Sequence, residues 1–278
     1  MSIGYINGKY IPLDELAIPI DERGHQFGDG IYEVIRVYNR KAFMLDEHLE
    51  RLITSAKAIK LPIERDASDF RLLINEAVEK SGLSECTIYL QITRGFAPRK
   101  HLFPGVPISI SMTVKPASLL QQSLRENGVS AIVHEDERWA NCYIKSLNLL
   151  PNVLARQTAY EKGCYEAILV RDGMVTEGTS SNIFMVKKGK VYTTPLSKRI
   201  LAGITRLAVR QICEEINIEF VEQSFTVEEL FQADEVFLTS TTSEVLPIVE
   251  VDGQMVRAGK PGEVTSELYQ KLQQMIVR

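Results

Sequence analysis

A lysine, Lys145, stands near the end of the run Asp136-Glu-Arg-Trp-Ala-Asn-Cys-Tyr-Ile-Lys-Ser-Leu-Asn, and an acid opens the later run Glu177-Gly-Thr-Ser-Ser-Asn-Ile-Phe. A lysine amine can condense with an aldehyde cofactor, and a carboxylate can keep a pyridine nitrogen protonated so that the ring accepts electrons from a substrate carbanion. Together the two residues point to pyridoxal 5'-phosphate chemistry. Tyr143 and Ile144 before the lysine and Leu147, Leu149 and Leu150 after it make an apolar setting, which favours the neutral, nucleophilic amine.

A cofactor with a dianionic tail needs converging donors. In Leu201-Ala-Gly-Ile-Thr-Arg a glycine precedes a periodic helix, so the amides of Ile204 and Thr205 would point outward with the helix dipole behind them. Leu238-Thr-Ser-Thr-Thr-Ser-Glu adds five hydroxyl residues after an apolar run, and Arg51 is a candidate for the full positive charge. The loop Thr93-Arg-Gly-Phe-Ala-Pro-Arg-Lys-His-Leu-Phe-Pro carries Arg99 and His101 two apart, on one face if the segment is extended, as a clamp for a carboxylate. Tyr32 could add a hydroxyl. His25, His48 and His134 have no metal-ligand spacing, and no metal is expected.

The elements that must position these residues alternate too irregularly for a doubly wound parallel sheet, so the expected class is α+β. A strand pair is expected at residues 4–12 around Asn7-Gly8 and a loop at 21–30. A strand at 31–38 is paired back by 42–45. Helical spacing follows at 46–59, with Asp46 as N-cap, and at 67–80, then strands at 87–93 and 108–114. The polar stretch 116–128 reads as the connection between domains 1–120 and 121–278. Beyond it lie strands at 129–133, 166–170, 182–186, 218–221, 235–238 and 248–251, and helices at 150–162, from 204 and at 262–275. Hairpins are expected at Lys188-Gly189 and Asp252-Gly253, while Glu177 falls in a loop after the turn Arg171-Asp-Gly-Met.

With 278 residues, 45% hydrophobic and 24% charged, the chain can bury two domain cores. Its net charge of −4 is spread without a basic block, which argues against nucleic acid. Four scattered cysteines suit reduced thiols. No signal peptide or membrane span is apparent, so a cytoplasmic location is expected.

With these residues assembled, the chain resembles the D-amino acid aminotransferases (D-alanine transaminases) of the class IV, fold-type IV, pyridoxal phosphate family. The resemblance runs nearly end to end, through Gln26-Phe-Gly-Asp-Gly, Glu47-His-Leu-Glu-Arg51, Arg99-Lys-His101, Ile144-Lys-Ser-Leu-Asn-Leu, Lys162-Gly-Cys-Tyr-Glu-Ala, the run 176–184, Gly203-Ile-Thr-Arg and Thr239-Ser-Thr-Thr-Ser-Glu. It implies an N-terminal α/β domain, a C-terminal barrel-like β domain and a cofactor at their interface. By the same resemblance Lys145 would hold the cofactor and move the proton, Glu177 would pair with the ring nitrogen, Arg138 would approach the ring hydroxyl and Leu201 would support the ring. Arg51, Ile204, Thr205 and Thr241 would hold the phosphate, with Ser181 and Asn182 among the cofactor contacts. Tyr32, Arg99 and His101 would trap the substrate carboxylate, the last two reaching across a homodimer.

The implied reaction is reversible amino transfer from a D-amino acid such as D-alanine to a 2-oxo acid such as 2-oxoglutarate. Thr179 stands where serine is common, and Leu102 makes the edge of the trap more apolar. Three rival readings are a branched-chain L-aminotransferase, an aminodeoxychorismate lyase of the same fold, and a non-catalytic scaffold.

Overall fold

Residues 1–277 are described by a computed structural model. The chain divides into one unit of Met1–Ser118 with Ile144–Asn148, and another of Leu119–Tyr143 with Leu149 onward. The first unit holds β1 (Ile3–Ile6), β2 (Lys9–Ile11), α1 (Arg23–Phe27), β3 (Gly30–Tyr38), β4 (Lys41–Ala42), α2 (Leu45–Ala58), α3 (Ala67–Ser81), β5 (Cys86–Thr93) and β6 (Ser109–Pro116). Its sheet runs β2-β1-β6-β5-β3-β4, antiparallel throughout. The β1–β2 turn uses Asn7 and Gly8 at φ 45° and 95°, the positive values that make Asn-Gly a hairpin signal. Alternation along β3 sends Ile31, Ile35 and Val37 into a core with Leu49 and Leu52 of α2 and Phe70 and Ile74 of α3, all fully buried.

Local expectations differ from the structure at three places in this unit. The loop 21–30 contains α1, because the Glu22 carboxylate accepts the His25 amide at 2.8 Å and Gly28, at φ 65°, closes the turn in the left-handed region. Residues 43–45 do not continue β4, since α2 already begins at Leu45. Asp46 does not cap α2 either. The N-cap is Met44, with no side-chain bond, and Asp46 lies in the first turn, ion-paired to Arg71. Helix α3, by contrast, is capped by its side chains, Asp66 and Asp69 forming a reciprocal capping box.

The second unit contains α4 (Gln122–Asn127), β7 (Val129–Glu135), α5 (Leu150–Glu161), β8 (Glu166–Arg171), β9 (Met174–Gly178), β10 (Asn182–Lys187), β11 (Lys190–Thr193), α6 (Ile204–Glu215), β12 (Phe220–Glu222), α7 (Val227–Phe231), β13 (Glu235–Ser240), β14 (Glu244–Val251), β15 (Gln254–Met255) and α8 (Glu263–Val277). Its sheet follows the order β12-β11-β10-β13-β14-β7-β8-β9, with β15 on β14. Parallel pairing at β11–β12, β14–β7 and β7–β8 mixes with antiparallel hairpins. Strand β9 also packs near β10, so the sheet curls into a half-barrel. Phe184 and Phe237 stack inside this unit, their ring centroids 4.7 Å apart.

The segment expected to be a loop around Glu177 is strand β9, paired with β8 across the Asp172-Gly173 turn at φ 54° and 78°. Its residues Thr176 and Glu177 are polar, which hid the strand from a reading based on apolar alternation. The polar connection after Pro116 contains α4, whose Arg125 donates to the Ser243 and Val245 carbonyls at 3.1 Å each. The class is therefore mixed α+β, as expected. Among the described residues no helix is long and apolar enough to cross a membrane, and no group of three or more His, Cys, Asp or Glu could hold a metal ion.

Candidate active site

In the first unit, β4 pairs only with the far end of β3, at Val37 and Tyr38. The near end of that edge is taken by the segment 144–148. The Tyr32 amide donates to the Lys145 carbonyl at 3.0 Å and the Leu147 amide to the Gly30 carbonyl at 3.1 Å. Lys145's own amide donates to the Ser55 hydroxyl at 3.2 Å. The lysine backbone is thus fixed by a strand and a helix. Its ammonium lies 4.3 Å from the centroid of the Tyr32 ring. The expected apolar setting is only partly found. Ile144 is buried, but Tyr143 and Leu150 are exposed, so the lysine's immediate surroundings come from β3 and α2 and not from its chain neighbours.

One residue along β3 the side chain points the other way, and Glu33 is fully buried beneath α2. Arg51 meets it with two parallel bonds, Nε to Oε1 at 2.7 Å and Nη2 to Oε2 at 2.6 Å. His48, one turn earlier on the same helical face, meets Oε2 through Nδ1 at 2.8 Å. Burial alone would raise the Glu33 pKa, but Arg51 and then His48 outweigh it and hold it at about 2. Burial lowers His48 below its ordinary value, against the pull of Glu33. Sequence reading missed Glu33 and His48. The i, i+3 spacing of His48 and Arg51 was visible, but nothing in the chain marked Glu33 as their partner.

Arg99 and His101 lie outside any strand, yet they converge. The Arg99 guanidinium sits 4.7 Å from the Phe27 ring centroid, and the His101 ring lies 5.6 Å from the same ring. Beneath them Asp29 accepts from Arg23 at 2.8 Å and from Arg94 at 2.9 Å, and Arg23 also donates to the Lys100 carbonyl at 2.6 Å. This buried ionic cluster fixes the loop that carries both trap candidates. Tyr32 stacks on Tyr89 at 5.5 Å.

In the second unit Glu177 is buried on β9 and accepts from three groups. Arg138 Nη1 donates to Oε1, while Oε2 accepts Asn182 Nδ2 at 3.1 Å and the Leu201 amide at 3.0 Å. Burial raises the Glu177 pKa, and Arg138 opposes it. Arg138, expected near a ring hydroxyl, is held here between Glu177 and Asp136. Ser181 donates to Oε2 of the buried Glu166 at 2.8 Å and Thr179 to Oε1 at 2.5 Å, so this carboxylate shapes the turn between Glu177 and Asn182. Asp136 and Glu166 also escaped the sequence reading, because nothing in the chain marked Arg138 as the partner of Asp136, two residues before it, and the Thr179 and Ser181 partners of Glu166 lie 13 and 15 residues on.

Helix α6 starts at Ile204 with Gly203 as N-cap and no side-chain cap, so no side chain claims its leading amides. Ile204 and Thr205 are buried there. In the hydroxyl run, Ser243 is tied to Ser240 at 2.9 Å and to Tyr165 at 2.8 Å. The Thr239 hydroxyl is buried with no partner. An uncapped helix start, an orphaned hydroxyl and the half-buried Thr241 are a donor set of the kind a phosphate takes, and Glu177 is of the kind a pyridine nitrogen takes. The residues present fit a pyridoxal phosphate.

Comparison with known proteins agrees. The family profile of class IV amino-transferases matches residues 30–251. A D-alanine aminotransferase of Bacillus licheniformis is 45% identical over 272 residues, 98% of this chain and 96% of that protein. One of Staphylococcus aureus (strain COL) is 41% identical over 273 residues, covering 98% and 97%. Among solved structures, the branched-chain amino acid aminotransferase of Escherichia coli superposes with a TM-score of 0.92 at 27% identity, covering 99% of this chain and 94% of that one. The branched-chain amino acid aminotransferase of the thermophilic archaeon Thermoproteus uzoniensis, solved with norvaline, gives 0.90 at 28% identity and the same coverage. A profile match over most of the chain, near full-length relatives and a shared fold together mean that this chain belongs to the class IV aminotransferase family.

Proposed function

We propose that the protein transfers the amino group of a D-amino acid, such as D-alanine, to a 2-oxo acid, such as 2-oxoglutarate, with pyridoxal 5'-phosphate as cofactor. The observation that carries this reading is the 45% identity, over nearly the whole chain, to a D-alanine aminotransferase. The packing of Arg99 and His101 against one ring supports it, since a guanidinium and an imidazole suit a carboxylate.

The cofactor, when bound, supplies a ring that draws electrons from the substrate α-carbon. Lys145 would hold it, and its free amine would be the base that takes the substrate's α-proton. Glu177 keeps a proton on the ring nitrogen, Arg138 approaches the ring hydroxyl and Leu201 supports the ring. Arg51, Ile204, Thr205 and Thr241 supply phosphate donors, and Ser181 and Asn182 complete the cofactor contacts. Tyr32, Arg99 and His101 bind the substrate carboxylate and so decide which face of the α-carbon meets the lysine. The chain is read as an N-terminal domain, 1–120, and a cofactor-binding domain, 121–278, with the Lys145 segment, 144–148, lent to the first unit. The working form is a homodimer in which Arg99 and His101 serve the partner's site, and the reaction is placed in the cytoplasm.

The solved relatives favour a second reading, a branched-chain L-aminotransferase. Mixing the purified enzyme with D-alanine and, separately, with L-leucine separates the two. D-alanine is expected to discharge the cofactor's visible absorbance and yield pyruvate. Discharge by L-leucine alone would establish the second reading instead.

A further inference from the structure

The guanidinium of Arg138 offers five N–H donors in a planar fork, and the second unit divides them between two carboxylates and the Arg199 carbonyl, which Nη2 reaches at 3.4 Å. Asp136 takes one edge, with Nε donating to Oδ1 and Nη2 to Oδ2, both at 2.8 Å. Glu177 receives Nη1 alone. Its other oxygen is given to the neutral donors of Asn182 and Leu201. Asp136 is itself pinned by the Arg138 amide at 3.1 Å, the Thr176 hydroxyl at 2.9 Å and Arg171 at 3.2 Å, and is 4% exposed. The remaining titratable groups facing the cluster are the Cys142 thiol, which burial pushes up to about 11, and Arg206, which is paired with Glu222. Asp136 has no part in the chemistry proposed above, yet it shares the guanidinium of Arg138 with the proposed ring-nitrogen acid.

We infer that Asp136 is a positioning residue for Glu177: by pinning one edge of Arg138 it fixes the orientation in which that guanidinium gives Glu177 one bond and not two, and so preserves Glu177 as a proton acceptor for a ring nitrogen. The inference rests on the reading of Glu177 given above. A carboxylate in a two-bond pair with arginine is a weaker base than one sharing a single donor. Charge acts in the same direction. Without Asp136 the surroundings of the ring nitrogen gain one positive charge, which disfavours its protonated form.

The test compares wild type with Asp136→Asn, both reconstituted with pyridoxal phosphate labelled with nitrogen-15 in the ring. The ring-nitrogen NMR shift reports protonation directly, and steady-state kinetics report its consequence. In the variant the shift is expected to move toward the unprotonated value, and kcat to fall about tenfold, the worth of one charge-assisted bond, with KM changed less than about twofold. Thr176→Val removes the hydroxyl that faces Asp136 and the Leu169 carbonyl and should produce the same changes to a smaller degree, which keeps the test decisive if Asp136→Asn does not fold. An unmoved ring-nitrogen shift in the folded variants would overturn the inference, including the case where cofactor merely binds more weakly. Failure of the wild type to take up the cofactor would instead strike at the proposed function.

Discussion

Glu33 is the residue on which the first unit's ionic chemistry turns. Removing its charge breaks the two-bond pair it makes with Arg51, and breaking such a buried pair costs about 3 kcal/mol or more. Glu33→Gln is therefore expected to lower the urea unfolding free energy at pH 7 by that amount. The pH dependence follows from the same group. Its carboxyl titrates at about 2 in the folded chain and near 4.5 when free, so the stability it contributes is complete above 4.5 and is lost as pH falls toward 2. His48, lowered by burial from 6.5, adds a loss that begins as pH drops below 6.5, because the unfolded chain binds that proton first. Melting temperature should thus fall in two stages on acidification. In Glu33→Gln the second stage should be weakened; an unchanged acid profile would show that the cluster does not govern it.

At the scale of elements, the start of α6 is fitted against the end of the Glu177 turn with no space to spare. A Cβ on Gly203 would stand 2.1 Å from Asn182 Oδ1, the amide group whose nitrogen donates to Glu177 and to the Leu201 carbonyl. Gly203→Ala must displace that side chain or shift the helix. Overpacking of this kind costs about 1–3 kcal/mol, so a lower melting temperature and faster loss of cofactor on dialysis are expected together. Retention of cofactor at the wild-type rate would mean that Asn182 is not needed to hold the acid in place. The elements themselves were largely readable in advance. Helices α2, α3, α5, α6 and α8 lie within one or two residues of their apolar periodicity, and Asn7-Gly8 and Asp252-Gly253 are hairpins. Strand β9 and helices α1, α4 and α7 were not, because they are short or polar and owe their form to partners such as Glu22 and the Thr226 capping box.

For the whole molecule the decisive question is whether one subunit completes another's site. Lys145→Ala and Arg99→Ala subunits are each expected to be nearly inactive. If Arg99 serves the partner's site, mixed dimers formed by co-refolding contain one intact site each, and activity should recover to about a quarter of wild type at equal mixing. No recovery in a mixture shown to contain hybrids would mean that lysine and arginine act within one chain. The parent species should sediment at twice the 31.3 kDa chain mass.

The chain's residue types and spacings were enough to indicate the cofactor chemistry, the mixed α+β class and which residues to suspect, because motifs and periodicities are properties of near neighbours. They could not indicate who partners whom. Glu33 meets Arg51 across 18 residues, and Arg138 meets Glu177 across 39. The lysine segment leaves the second half of the chain to extend β3 in the first unit. A buried charge chooses its counter-ion by where strands pair and helices pack, and that geometry exists only after the chain has closed on itself.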